Sequence, residues 1–421
     1  STPAQPCVPL DAGCGVRLLS YAFNQDASCW ACGTTAGFRV YRTSPVAELR
    51  RREQLAVFKN RSVSVVQMLM RTNIYAIVTV GHGEDAREQV NKIQIWDERQ
   101  CCFVGEIRSK DEVKGVALRA DIIAMVCEHY VRVYTFDRFQ PIVYIDTVAN
   151  PHGLCEIALS CNPWVLCCPG GAPGAVHVQI GQDTSREFVA HESAVVALAF
   201  SASGALLATA STFGTVVKVW RRDGLELLHR LRLRAPTLGG EAVSCLAFRP
   251  CAGFVAVATS SSPMVQLFRL HRLSEGEALE AHERESGQGL WGITQRLVKN
   301  ALPEYFTDVQ SFAHFSIPGV AADGTSELDL RCLGAAVRGP LVAFHRSEPK
   351  LTVLHYSGMV YETSFQGALG SASHTECADT IATMWFAPRP GFKIAGDWPA
   401  ASETRDLEDE SGGGDGWEVL A

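Results

Sequence analysis

Residues His191 to Arg234 read HESAVVALAFSASGALLATASTFGTVVKVWRRDGLELLHRLRLR, and they parse as one complete four-stranded unit. Val195 to Phe200 is apolar and β-leaning, and Ser201 to Gly204 is a turn. Ala205 to Ala210 is a second run, and Thr215 to Trp220 a third, with Val216, Val217 and Val219 β-branched. Arg221 to Gly224 ends in the Asp-Gly pair that hairpins favour, and Leu225 to Leu233 is the fourth run. Four short runs in about forty-five residues are the period of one propeller blade. The polar residues of this unit share a chemistry. His191, Ser211, Thr212 and Thr215 fall at strand ends or turns, while Arg230, Arg232 and Arg234 alternate along the last run. Period-two spacing puts those arginines on one face. Hydroxyls, an imidazole and guanidinium groups together suit a phosphorylated ligand.

Outward from this unit the pattern repeats. Before it lie blade-sized stretches at about 16–58, 62–105, 108–150 and 153–189, the second closing on the WD-like run Ile93-Gln94-Ile95-Trp96-Asp97. After it, a sixth blade opens at Ala242 and is broken at about 271–300 by an insertion, and a seventh covers about 325–366. Residues 367–399 read as irregular. A lead-in (1–15) and an acidic, glycine-rich tail (399–421) read as disordered, leaving a single propeller domain over 16–398. Strand signals throughout, with turn residues between them, predict an all-β, seven-bladed β-propeller with WD-like repeats.

Composition narrows the function. The 421 residues are 47% hydrophobic and carry a net charge of −7, so any anionic partner must be met by a local basic patch, and nucleic acid is not expected. Fifteen cysteines, many in apolar runs, read as buried, reduced thiols of a cytosolic protein. Cys29 and Cys32 have CxxC spacing, but a lone pair inside a strand is neither a zinc site nor a redox centre. P-loop, dinucleotide-binding, HExxH and GxSxG signatures are missing from the sequence, and no catalytic residue, cofactor or metal is expected. No run is long and apolar enough to span a membrane, and the first twenty residues lack a signal-peptide core.

Three segments resemble the PROPPIN family of polyphosphoinositide-binding β-propellers: residues 23–48 (FNQDASCWACGTTAGFRVYRTSPVAE), Thr147 to Cys155, and Pro169 to Gly174. The resemblance implies two inositide pockets flanking a Phe/Leu-Arg-Arg-Gly motif at the end of blade five. Here that stretch is Leu231-Arg232-Leu233-Arg234 or, two residues on, Leu233-Arg234-Ala235-Pro236; in either register only the first arginine survives. The family's Ala-His-Glu-Ser and Ala-Thr-Ala-Ser-x-x-Gly-Thr segments are kept as Ala190–Ser193 and Ala208–Thr215. Its blade-six segment is not: a threonine has become Met264 and a histidine Gln266. The resemblance therefore implies one phosphoinositide pocket, built from His191, Ser211, Thr215 and Arg232 with Thr212 beside it, and Arg230 and Arg234 as accessory basic residues. Against this stands a structural reading, in which His191 and Ser211 belong to the hydrogen-bonded brace of an ordinary WD blade.

Two further features bear on membranes. Leu290, Ile293 and Leu297 recur at helical spacing in the insertion, with Trp291 beside them and Arg296 and Lys299 off the stripe. Such a helix can lie in a bilayer interface, where PROPPINs insert this loop, or it can dock back on the propeller. At the far end, Trp417 to Leu420 follows acidic residues and is similar to the short motif that docks ubiquitin-like autophagy modifiers. The expectation is a monomeric, cytoplasmic effector of phosphatidylinositol 3-phosphate or the 3,5-bisphosphate. It would sit peripherally on preautophagosomal, endosomal or vacuolar/lysosomal membranes and recruit their machinery, an autophagy lipid-transfer protein included. The rival is a protein-only scaffold whose lipid binding has decayed.

Overall fold

Alternating β-branched, aromatic and small side chains build seven sheets, each with four antiparallel strands and two with a short fifth strand added in parallel, which stand radially as the blades of a β-propeller. The computed structural model describes residues 16–384, apart from 54, 82–89, 235–242, 261–263, 271–307, 318–338, 356–357, 366–374 and 377. One 3-10 turn, Ala56–Phe58, interrupts an otherwise all-strand order among the described residues. The insertion stripe at Leu290, Trp291, Ile293 and Leu297 and the terminal Trp417 and Leu420 lie outside them.

Each blade meanders outward from the central axis, and the innermost strands of successive blades pack side by side around it. Blade five follows its sequence closely: Val195–Phe200, Leu206–Ser211, Val216–Arg221 and Glu226–Arg232, innermost to outermost. Blade six runs Val243–Phe248, Phe254–Thr259 and Met264–Arg269, then takes Ala313–Ser316 as its fourth strand after the insertion. On the way back, the chain touches its neighbour. Val309–Gln310 pairs in parallel with the outer strand of blade five, Leu231 opposite Val309 and Arg232 opposite Gln310.

Blade seven differs from the sequence reading. Its described strands are Leu341–Phe344, Lys350–Leu354, Met359–Ser364 and Ala378–Met384. The last lies in the stretch read as irregular, and it pairs with Met359–Ser364 from Met359 opposite Met384 onward. Ala378-Asp379-Thr380-Ile381-Ala382-Thr383 carries one large aliphatic, so its alternation is weak, and the neighbouring strand supplies the pairing that the sequence does not announce.

The core is a set of layers between blades. Trp30, Phe38, Tyr75 and Trp96 are wholly buried, and burying side chains of this size stabilises by about 1.5–3 kcal/mol each. Cys29 joins the layer shared with blade two and Cys32 the layer shared with blade seven. The CxxC pair thus points to opposite faces of one strand, and burial pushes both thiols up from their ordinary range. At the seam, Trp30 stacks on Tyr41 at 5.3 Å in a layer with Leu354 and Val360, and Tyr21 donates a hydrogen bond to the Gly339 carbonyl at 2.8 Å.

Candidate functional site

Strand alternation in blade five separates two chemistries. Ala208, Ala210, Val217, Val219 and Leu231 enter the apolar layer shared with blade six. Their neighbours therefore lie on the opposite face, toward blade four, where Leu207 and Trp220 join the next layer. That face carries Thr209 and Ser211 on the second strand, Lys218 on the third, and Arg230 and Arg232 on the outer one. The register sets Arg230 opposite Lys218 and Arg232 opposite Val216.

The turn above this face exposes Thr212 and Thr215, while Ser211 is buried. The turn is tied down by its backbone: Gly214 N–H donates to Ser211 O at 2.9 Å, Thr212 N–H to Ala194 O at 2.9 Å, and Leu233 N–H to Thr215 O at 3.1 Å. Phe213, between the hydroxyls, is 68% exposed.

His191 is buried and faces inward. Its Nε2 lies 2.8 Å from Thr209 Oγ1, which also accepts the Trp220 indole N–H at 3.0 Å. Burial, aided by the Lys218 ammonium, pushes the imidazole down to about 4, so it is neutral at physiological pH. The turn from blade four holds His191 in place. Ala190 and His191 N–H groups both donate to the Gly174 carbonyl, at 2.9 and 3.1 Å. Gly174 sits at φ +79°, and a Cβ there would stand 1.9 Å from His191 O, so only glycine fits. The brace is therefore His191–Thr209–Trp220, with Thr209 rather than Ser211 as its hydroxyl.

The arginines meet a partner the sequence did not suggest. Asp308, its side chain wholly buried, takes Arg232 through Oδ2 at 2.8 Å and Arg230 through Oδ1 at 3.1 Å. Both arginines remain 28% exposed. Asp223 and Glu226, the nearer acids in sequence, pair instead with Arg222 and Arg221. Asp308 lies 76 residues from Arg232, beyond the insertion, and only the parallel pairing of Val309–Gln310 brings it here. Lys218 was also missed. Its Nζ donates to the Ala190 carbonyl at 2.8 Å and sits 5.8 Å over the Trp220 ring. A lysine inside the apolar run Val216–Trp220, in phase with the arginines of the adjacent strand, was the available signal.

Arg234 is exposed, but its backbone is clamped: Gln266 accepts its N–H at 3.0 Å and donates to its carbonyl at 3.1 Å. The structure thus gathers His191, Ser211, Arg230 and Arg232 on one face, with Thr212 and Thr215 at its upper turn. On the blade-six side, Gln266 is spent on backbone. Among the described residues no cluster of His, Cys, Asp and Glu could hold a metal ion.

Comparison with known proteins follows the same lines. The PROPPIN family model matches residues 17–315. The Autophagy-related protein 18e of Arabidopsis thaliana is 30% identical over 313 residues, covering 73% of this chain and 78% of that protein. The SVP1-like protein 2 of Pichia angusta is 30% identical over 307 residues, covering 71% and 81%. Among solved structures, Kluyveromyces lactis Hsv2 superposes with a TM-score of 0.62 at 18% identity, covering 83% of this chain and 94% of that one. KlAtg21, solved in complex with the coiled coil of AgAtg16, superposes with a TM-score of 0.62 at 17% identity, over 88% of this chain and 100% of that one.

Proposed function

This chain belongs to the PROPPIN family of non-enzymatic β-propellers, and from that premise we propose that it reads a 3-phosphorylated phosphoinositide on a membrane through one pocket on blade five. The observation that carries the reading is the one sheet face on which Arg230, Arg232 and Lys218 gather under the hydroxyl turn of Ser211, Thr212 and Thr215. In this reading Arg232 binds the phosphate in a charge-assisted pair, and the turn hydroxyls donate to its oxygens. His191, neutral and bonded to Thr209, holds the floor of the pocket at fixed height. Arg234, at the rim, adds attraction to an anionic leaflet, about 1 kcal/mol for a basic residue near the surface. The membrane-bound propeller then recruits autophagy or endolysosomal machinery, and the relative solved with a coiled coil is the reason to look for a protein partner of that kind.

One observation favours a second reading. Asp308 occupies the inner side of Arg232, as expected of a scaffold whose arginine has become an internal strut. Co-sedimentation with vesicles separates the two. Binding that requires phosphatidylinositol 3-phosphate, falls at least tenfold in Arg232→Ala and is unchanged in Gln266→Ala supports the one-pocket reader. Wild-type protein that ignores the inositide leaves the scaffold.

A further inference from the structure

Apolar residues scattered singly over a surface need no explanation. Two on this protein are not scattered. Among the described residues, Val189 and Phe213 are the most exposed of the large apolar side chains, at 70% and 68%, and both stand at the end of the propeller that carries the hydroxyl turn. Val189 closes the outer strand of blade four, Thr184–Val189, and the chain then crosses to blade five through residues 190–194. That crossing is tied down at both ends. The Ala190 and His191 N–H groups donate to the Gly174 carbonyl, and the Ala194 carbonyl accepts the Thr212 N–H at 2.9 Å. Phe213 is the next residue, so one braced connection links the two apolar tips.

The Phe213 tip is built to project. Gly214 N–H donates to Ser211 O, and Gly214 takes the left-handed φ of +59° that turns the hairpin back into Val216–Arg221. Phe213 stands at the corner, with exposed Thr212 before it and exposed Thr215 two residues on. The turn therefore offers an apolar tip with hydrogen-bonding shoulders. Charge on this rim is mixed: Glu192 is exposed in the crossing, and Arg234 is exposed just past the bond from Leu233 N–H to Thr215 O. The apolar tips, rather than a uniform charge, are what suit the rim to a partner.

Geometry selects the kind of partner. A protein interface needs a broad complementary face, on the order of 800 Å² on each side. A bilayer takes apolar side chains one at a time, each gaining as it leaves water. A headgroup bound at the hydroxyl turn is tethered to a bilayer, so binding it brings this turn against lipid. We propose that Phe213 is a membrane-penetrating tip, with Val189 as a second tip on blade four: when the hydroxyl turn engages an inositide, the ring enters the boundary between headgroups and acyl chains. This inference rests on the lipid-reading proposal above. It adds an apolar membrane contact on blades four and five, separate in the chain from the insertion stripe at 290–297.

The test pairs co-sedimentation with phosphatidylinositol 3-phosphate vesicles against calorimetric binding of soluble inositol 1,3-bisphosphate, which has the headgroup and no bilayer. Phe213→Ser should weaken vesicle binding about tenfold and leave binding of the soluble headgroup within about twofold. Phe213→Trp should keep vesicle binding at or above wild type, and Val189→Ser should weaken it about threefold. Val104→Ser, at the exposed valine of blade two, should leave it unchanged. Raising the salt from about 0.1 to about 0.5 M should preserve the ratio of wild type to Phe213→Ser, because apolar burial is not screened. Vesicle binding unmoved by Phe213→Ser, as a protein-docking tip would give, overturns the assignment. So does an equal loss for the soluble headgroup, which would make the ring a wall of the pocket, or an equal loss in Val104→Ser. A wild type that binds inositide vesicles no better than plain ones sinks the lipid-reading proposal and this one with it, a result distinct from the others.

Discussion

Blades five and six have the same strands in the same register and opposite interiors. At the third residue of the third strand, blade five has Lys218 and blade six has Gln266. Opposite the first and third residues of that strand stand Arg232 and Arg230 in blade five, but Ser316 and His314 in blade six. The brace residues Thr209 and Trp220 correspond to Val257 and Phe268, both wholly buried in an apolar layer. Backbone geometry is thus not what makes the charged face. An identical frame is a charged face in one blade and a packed wall in the next. The difference teaches that the frame tolerates either filling, provided each polar group has a partner: Thr209 finds His191 and Trp220, and Gln266 finds the backbone of Arg234.

The comparison can be broken most severely at the brace. Thr209→Val makes blade five resemble blade six at that position but strands the His191 imidazole and the Trp220 N–H in the interior. Leaving buried polar groups unpaired costs about 1–3 kcal/mol each, so denaturant unfolding should show a loss of about 2–6 kcal/mol of stability. Arg232→Ala follows, with a loss of inositide-dependent vesicle binding of at least tenfold and no such effect from Ser316→Ala at the matching position of blade six.

A pH titration sharpens the same contrast, because blade six has no counterpart of the brace. His191 is pushed down to about 4 in the fold and stands near 6.5 when unfolded, so between those values the unfolded chain binds the extra proton. Stability from this group is complete above pH 6.5 and falls as the pH drops toward 4. His355, buried in blade seven and also held near 4, adds with the same sign. Thermal melts should lose midpoint across that window, and His191→Gln should flatten part of the slope. The smallest effect is expected from Gln266→Ala: vesicle binding within twofold of wild type, and about 1 kcal/mol less stability from its two backbone bonds.

Much of this was legible in the chain. Blade five could be delimited to within a residue or so because Val195–Phe200 and Val216–Trp220 are strongly β-leaning and Asp223-Gly224 marks a hairpin. Arg230 and Arg232 could be put on one face because period two is geometry. The rest failed for physical reasons. Ala378–Met384 was overlooked because a strand held by its neighbour need not carry its own apolar pattern. Thr209 was passed over for Ser211 because two hydroxyls two residues apart share a face, and only the indole of Trp220 selects between them. Asp308 could not be foreseen, since its meeting with Arg232 depends on where the chain returns after a long insertion.

The seam between the first and last blades has its own consequence. Blade one takes all four strands from residues 18–53, and blade seven takes its four from residues 341–384. Among the described residues no blade borrows a strand from the other end of the chain, and the seam is fastened by side chains such as Trp30, Leu354 and Val360 and by the Tyr21 hydroxyl. A ribosome can therefore deliver this protein one finished hairpin pair at a time. Each blade can settle on the one before it during synthesis, without an unpaired strand held open for hundreds of residues. Circle closure becomes the last event and a local one, the meeting of two completed surfaces.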